Sequence, residues 1–320
     1  MTPSRLLLPL LPPLRYLVCS TVILLFLLSW NLLGTNVSLM ATTQAYNRPL
    51  VVYVYAESEN ARQNLDFFVR RGLHGRADFV FIFNGPTKAK ELIPELHNVH
   101  IIERENTCFD LGAIGEVLLK DNLWKRYKRF ITLNASVRGP FLPVYNGACW
   151  TDLLLDRISN VVKLVGLSMN CQPRPHVQSM LFATDAIGMS MLLDYNLATS
   201  VKKEDFWGTE EDPVGFTPCF ETLRKAVHSE IGITDLIRSE GYEVDVLLTS
   251  FQAANDPSTY CEENGNPDDV MYDGHYFGTS VHPYETLFLK ANRGISDATM
   301  SVLTRWHLRQ SVSSWTFCKT

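Results

Sequence analysis

Leu50–Phe83 reads LVVYVYAESENARQNLDFFVRRGLHGRADFVFIF, and this stretch decides the fold. Its first part, Leu50–Tyr55, is β-branched and aromatic and reads as a strand. The acidic, amide-rich segment that follows places Leu65, Phe68 and Val69 on one helical face and meets Gly72 as a stop. Phe79–Phe83 (FVFIF) is strand-like again and runs into a turn at Asn84-Gly85-Pro86. Strand, helix and strand at this spacing are the signature of βαβ units and a largely parallel sheet.

The alternation continues outward. A short helix leads to strand-like Val99–Ile102, and a helix over about Asp110–Leu119 leads to strand-like Arg129–Leu133 (RFITL). These units predict a nucleotide-binding α/β core. In open parallel sheets ligands bind beyond the carboxyl ends of the strands. The segments expected to carry a site are therefore Ala56–Glu59, Asn84–Pro86, Arg104–Asp110 and Asn134–Pro140. Further on, Val161–Leu167 and Val177–Ala183 read as strands, Thr222–Glu240 as a helix closed by Gly241, and Tyr242–Leu248 as a strand. Gln252–Ser280 is rich in Asn, Asp, Gly and Pro and reads as a long loop, a kind of segment given to function or disorder.

Before this domain lies an uncharged apolar run, Tyr16–Leu33, with Arg5 and Arg15 ahead of it and no further basic residue until Arg48. At about 1.5 Å per residue the run nearly spans a hydrocarbon core of about 30 Å, and the basic flank puts the N-terminus in the cytosol. The predicted layout is a cytosolic tail (1–15), a transmembrane signal anchor (16–33), a lumenal stem (34–48) and a lumenal domain (49–320). A cleaved signal peptide shares the pattern of basic residues before an apolar stretch, but the length of the run and the lack of a small-x-small site at its end favour the anchor. A sequon, Asn36-Val37-Ser38, stands in the stem, and Cys19 in the anchor. The remaining cysteines, Cys108, Cys149, Cys171, Cys219, Cys261 and Cys318, can form up to three bridges in an oxidising lumen.

The chain has 320 residues, of which 46% are hydrophobic and 20% charged, enough for a sizeable core. Its net charge of -5, with no long basic run, lacks the electrostatic footprint of a nucleic-acid binder. No CxxC pair, Gly-x-Ser-x-Gly elbow, His-Glu-x-x-His helix or Gly-x-x-x-x-Gly-Lys loop occurs, so the commonest redox, hydrolase and ATPase signals are absent. A glycoside hydrolase would need two opposed carboxylates, and no such pair is recognisable.

Several short motifs stand in a fixed order. They are Arg104-Glu-Asn-x-x-Phe109-Asp110-x-Gly112, Phe130-Ile-Thr-Leu-Asn134-Ala-Ser136-x-x-Gly139-Pro140, Val177-Gln178-Ser179, Glu230-x-Gly232-x-Thr234 and Pro283-x-Glu285-x-x-Phe288-x-Lys290-x-x-Arg293. Their order resembles the rhamnan synthesis protein F type of glycosyltransferases and related eukaryotic type II membrane proteins, over about Leu50–Arg293. The resemblance implies an α/β fold with a GT-A-like, Rossmann-type nucleotide-binding sheet and helices on both faces. It implies transfer of a sugar from a nucleotide-sugar donor to a glycan or glycoconjugate acceptor, at the Golgi or endoplasmic reticulum membrane.

Under this resemblance Arg104, Asp110, Asn134, Ser136, His282, Lys290 and Arg293 are donor-site candidates. Glu230 is the candidate base and Asp235 the second choice. Asn134-Ala135-Ser136 occupies the place where many GT-A enzymes carry a metal-binding Asp-x-Asp. Hard cations such as Mn²⁺ or Mg²⁺ favour several carboxylate oxygens, so a divalent cation is not supported by this motif. Each candidate also has a plainer reading: a turn capped by Asn134, a helix capped by Asp110, an exposed helix charge for Glu230, a structural histidine for His275 and His282. Trp150, Trp207 and Tyr276 are either a sugar-stacking surface or core. The competing function is a non-catalytic lumenal protein that binds carbohydrate or a partner on a transferase-like fold.

Overall fold

In the computed structural model the described residues are 47–318 without 202–207, 210–211, 218, 255 and 266. The anchor at 16–33, Cys19, the Asn36 sequon, nearly all of the stem and Trp207 lie outside them. Among the described residues no helix is long and apolar enough to cross a membrane.

The first strands form as the hydrophobic pattern dictates. Strands β1 (Leu50–Ala56), β2 (Asp78–Asn84), β3 (Val99–Arg104) and β4 (Arg129–Asn134) pair in the order 3-2-1-4, all parallel. Helix α1 (Glu59–Arg71) crosses from β1 to β2, its N-cap Ser58 accepting the Ala61 N–H, and α2 (Phe109–Leu119) crosses from β3 to β4. β1 lies in the middle and Leu50–Tyr55 are almost wholly buried, which is why the run is continuously apolar rather than alternating.

The sheet extends past β4 through β9 (Leu181–Asp185), β6 (Val162–Gly166) and β10 (Glu243–Val246), giving seven strands in the order β10-β6-β9-β4-β1-β2-β3. β9 runs antiparallel to both neighbours, β4 and β6. The short strands are β5 (Val137–Arg138) with β11 (Leu289–Lys290), and β7 (Met169–Asn170) with β8 (His176–Val177), each pair antiparallel. The remaining helices used below are α3 (Trp150–Leu155), α4 (Ala186–Leu192), α5 (Leu223–Ser239) and α6 (Asp297–Arg309).

Two sequence expectations need correction here. Val177–Ala183 is not one strand, because Gln178–Met180 break away between β8 and β9 to bond to neighbouring segments: Gln178 N–H to Ser168 O and Ser179 N–H to Glu230 Oε1. The stretch Gln252–Ser280 is not a plain loop either. It contains a short helix at Pro257–Glu263 and buries Tyr260, Cys261, Val270 and Met271.

Trp150 belongs to the core, not to a sugar platform. It is 0% exposed, donates Nε1–H to Gly72 O at 2.8 Å and meets Phe68 edge to face. Tyr276 donates its hydroxyl to Glu285 Oε1 at 2.7 Å. The six described cysteines are paired as Cys108–Cys219, Cys149–Cys318 and Cys171–Cys261. Among the described residues, His74 with Cys149 and Cys318 is the one grouping close enough to hold a metal ion, but its two sulfurs are bonded to each other and offer no thiolate.

Candidate functional site

A strand order of 3-2-1-4 reverses direction between β1 and β4, and a doubly wound sheet opens its crevice at that point. A cavity of about 580 Å³ lies there, lined by Val54 and Ala56 of β1, Asn84 of β2 and Asn134 of β4. Asp110, Glu230 and Lys290 come to the same cavity from α2, α5 and β11.

Each arrives for a local reason. The chain enters α2 through Cys108 and Phe109, whose φ angles of 69° and 54° are left-handed, and Cys108 is fastened to Cys219. The N-cap is Cys108, with no side-chain cap bond, so Asp110 is not the capping residue. It is the second residue of the first turn, where Oδ1 accepts the Leu111 N–H and Oδ2 accepts from Asn134 Nδ2 at 2.5 Å. Burial pushes its carboxyl above the usual carboxylate range and nearby Glu230 adds to this, while the Asn134 hydrogen bond opposes them. Asp110 keeps some exposed area as a residue, but its carboxylate is enclosed, and the enclosure governs its acidity.

Asn134 serves both readings the sequence allows. Its Oδ1 accepts the Ser136 N–H at 3.1 Å and the Ser136 hydroxyl, which makes a side-chain-capped turn, and the same residues line the cavity. With Nδ2 given to Asp110, this formal sequon has its glycan-accepting nitrogen occupied.

Lys290 is delivered by the β5–β11 pair, where it stands opposite Val137, and Ala291 N–H continues the pairing to Ser136 O at 2.9 Å. The pairing demands a glycine at 139: a Cβ there would come within 2.4 Å of the Phe288 ring and 2.6 Å of Leu287 O. Lys290 is 9% exposed, and burial lowers the pKa of its ammonium against the pull of Glu230, Asp269 and Asp110.

Glu230 and Thr234 are one helical turn apart on α5 and share a face. Glu230 Oε1 accepts the Ser179 N–H at 2.7 Å and Thr234 Oγ1 accepts the Val177 N–H at 2.8 Å. The two motifs Val177-Gln178-Ser179 and Glu230-x-Gly232-x-Thr234 thus interlock, and Gly232 is required because its Cβ would collide with Val214 at 2.2 Å.

Other candidates are not brought to the cavity. Arg104 is absent from the lining and its guanidinium is engaged by Asn84 Oδ1, the Glu105 and Thr107 carbonyls and Glu116. It organises the loop that carries Asn106 rather than facing a ligand. Asp235 pairs with Arg174 at 2.8 Å and His282 caps the short helix Pro283–Thr286, accepting the Tyr284 N–H; neither lines this cavity. Arg293 bonds to Asp269 at 2.8 Å and lies over the Tyr272 ring, lining a neighbouring cavity. Sequence reasoning did not single out Asn60, Asn84 or Asn106 as site residues, although Asn84 and Asn106 fall within the segments marked by the strand-end rule.

The donor set does not suit a resident divalent cation. Asn134 Oδ1 already accepts two hydrogen bonds, both Asp110 carboxylate oxygens accept one each, and the remaining lining carboxylate, Glu230, shares the cavity with the Lys290 ammonium. Hard cations select ionised oxygen ligands instead.

Asp110→Asn is expected to raise stability at neutral pH and flatten one limb of its pH dependence. A carboxyl whose folded pKa is raised penalises the folded state above that pKa, and the penalty fades as the pH falls through it toward 3.8. The substituted amide keeps an acceptor oxygen for Asn134. Thermal melts between pH 4 and 8 check this; a lower melting temperature at pH 7 would mean the carboxylate supports the fold.

No family model matches the chain, and no curated protein matches it. Among solved structures it is similar to the glycosyltransferase GlyE of Streptococcus pneumoniae TIGR4, with a TM-score of 0.44 and 8% identity. That likeness covers 82% of this chain and 61% of GlyE, so the chain spans about three fifths of that protein. A likeness of this size does not place the chain in a family.

Proposed function

We propose that the chain is a glycosyltransferase that binds a nucleotide sugar in the cavity at the β1/β4 switch point and transfers the sugar to a glycan or glycoconjugate. The observation that carries this reading is the convergence of Asp110, Glu230 and Lys290, from three separate elements, on one cavity at the strand ends. Asn60, Asn84, whose Oδ1 is taken by Arg104, and Asn106 offer amide donors to ribose and sugar hydroxyls.

In the transfer, the acceptor oxygen bonds to the anomeric carbon as the carbon–oxygen bond to the diphosphate breaks, and the electron pair leaves on phosphate. The acceptor proton passes to Glu230, whose Oε2 is not used by Ser179. Lys290 and the N-terminal turn of α2 face the developing negative charge. The same groups account for donor binding without a metal.

The reading extends to place. An apolar run at 16–33 behind Arg5 and Arg15 and cysteines paired into three bridges suit a single-pass type II protein of the Golgi or endoplasmic reticulum with its domain in the lumen.

A second reading has one observation in its favour: Glu230 and Thr234 hold the Val177–Ser179 segment, a purely structural task for the Glu230 motif. It makes the chain a non-catalytic carbohydrate-binding module. Calorimetry on the full-length chain with a panel of UDP-, GDP- and dTDP-sugars separates the two. We expect at least one donor to bind and be consumed, with affinity unchanged by EDTA. Glycan binding without any donor binding would establish the module instead, and affinity restored only by Mn²⁺ would overturn the metal-free site.

A further inference from the structure

Glu230, Lys290 and Val227 line two cavities, not one. The second, of about 320 Å³, lies beyond them and is walled by Asn170, His176, Gln178 and Arg293. Its volume is near the lower end of small-molecule sites, which run from about 300 to 1,000 Å³, and suits one sugar residue better than an extended chain.

Gln178 supplies the second observation. The residue is 2% exposed and lines this cavity, yet no group of the protein bonds to its buried Oε1. Buried amide oxygens are bonded in the great majority of cases, because leaving one unpaired forfeits its hydration. The backbone N–H groups of this segment are bound: Val177 N–H to Thr234, Gln178 N–H to Ser168 and Ser179 N–H to Glu230. Of these three residues Gln178 alone lines this cavity. The unpaired oxygen is therefore an acceptor kept for something that enters the cavity.

The charges indicate what kind of ligand that is. Lys290 and Arg293 are balanced by Glu230 and Asp268 in the same lining, and Arg293 is already held by Asp269. A balanced set of cations, carboxylates and amides suits an uncharged polyhydroxyl compound rather than an anion. The Cys171–Cys261 bridge ties the β7–β8 hairpin, which carries Asn170 and His176, to the short helix Pro257–Glu263, fixing this wall.

We propose that this second cavity binds the sugar residue that accepts the transferred group, with Gln178 Oε1 accepting a hydrogen bond from one of its hydroxyls. The proposal rests on the reading of the first cavity as the donor site. It gives Glu230 the position a base needs, in the wall between the departing diphosphate and the incoming hydroxyl. Gln178 acts as a positioning and specificity residue and is not itself part of the first cavity's lining, which begins at Ser179.

The test uses the full-length chain in detergent, with methyl glycosides of galactose, glucose, mannose and xylose as probes, read by saturation-transfer NMR. At least one glycoside is expected to give a signal, which Gln178→Leu lowers about tenfold or more while nucleotide-sugar affinity, read by calorimetry, stays within about twofold. Gln178→Met repeats the substitution at matched length, and melting curves of both variants separate loss of the acceptor oxygen from loss of fold. Equal signals in wild type and variants, or no signal from any glycoside, would overturn the proposal. If a Gln178-dependent glycoside signal persists while no nucleotide sugar binds, the second cavity stands as a saccharide site and the donor reading falls by itself.

Discussion

Glu230→Gln is expected to slow sugar transfer about 10²–10⁴-fold, the usual contribution of a positioned general base, while donor affinity and melting temperature stay near those of the wild type. The amide is the same size as the carboxylate and its oxygen can still accept the Ser179 N–H, so the interlock between α5 and the Val177–Ser179 segment survives. What disappears is the group proposed to take the acceptor proton. The charge also disappears, which leaves Lys290 with Asp269 and Asp110 as its remaining carboxylate neighbours. The decisive readings are kcat, donor Kd and the unfolding midpoint on one preparation. A full-rate variant removes the base assignment. Lost donor affinity with unchanged kcat would make Glu230 a holder of the pocket instead. Asp235→Asn serves as the comparison: its carboxylate pairs with Arg174 outside the cavity, so transfer should be unaffected.

The difference between Glu230 and Asp235 shows what could be read from the chain and what could not. Apolar runs with helical segments between them specify β1 through β4, since burial on both faces leaves so direct a trace in Leu50–Tyr55 and Phe79–Phe83. The strand-end rule then located the crevice, and Asn84, Asn106, Asp110, Asn134 and Ser136 all fall within the segments it marked. Direction within those segments was not legible. Arg104 has the charge a diphosphate would want, yet its two terminal nitrogens are engaged by the Asn84, Glu105, Thr107 and Glu116 oxygens, and sequence spacing carries no record of that. His282 and Arg293 share a motif with Lys290, but only Lys290 reaches the first cavity. Its reach depends on β5 pairing with β11 across about 150 residues of chain and on the close approach at Gly139. The break at Gln178–Met180 was hidden for a similar reason: the residues lie between apolar Val177 and Leu181–Ala183, and the hydrogen bonds that pull them out come from Ser168 and from Glu230 of α5, far along the chain.

The acid side of the stability curve is expected to be set largely by His74, with about 2 kcal/mol lost between pH 6.5 and 5 from this residue alone, at about 1.4 kcal/mol per pH unit for one proton. His74 is 0% exposed, packed edge to face on Phe79 and Trp150. Its Nδ1 accepts the Arg76 N–H at 3.2 Å, so a proton at that nitrogen would confront another. Burial, then the charges of Arg76 and Arg48, bring its pKa down from 6.5 to about 3. The sign follows: the unfolded chain binds a proton below 6.5 that the folded chain refuses until about 3. Stability is therefore full above 6.5 and falls steadily as the pH drops through that window. Carried to its end, the loss approaches about 5 kcal/mol, a large share of the 5–15 kcal/mol that holds a typical domain together. His176 and His307 are also buried and lowered, so they steepen the same limb. His74→Gln keeps an acceptor for the Arg76 N–H and cannot be protonated in this range. Urea midpoints at pH 7 and pH 5 should fall less in the variant than in the wild type, by about one proton's worth of slope. Parallel losses in the two proteins would mean that the His74 pocket opens or hydrates before its imidazole is charged.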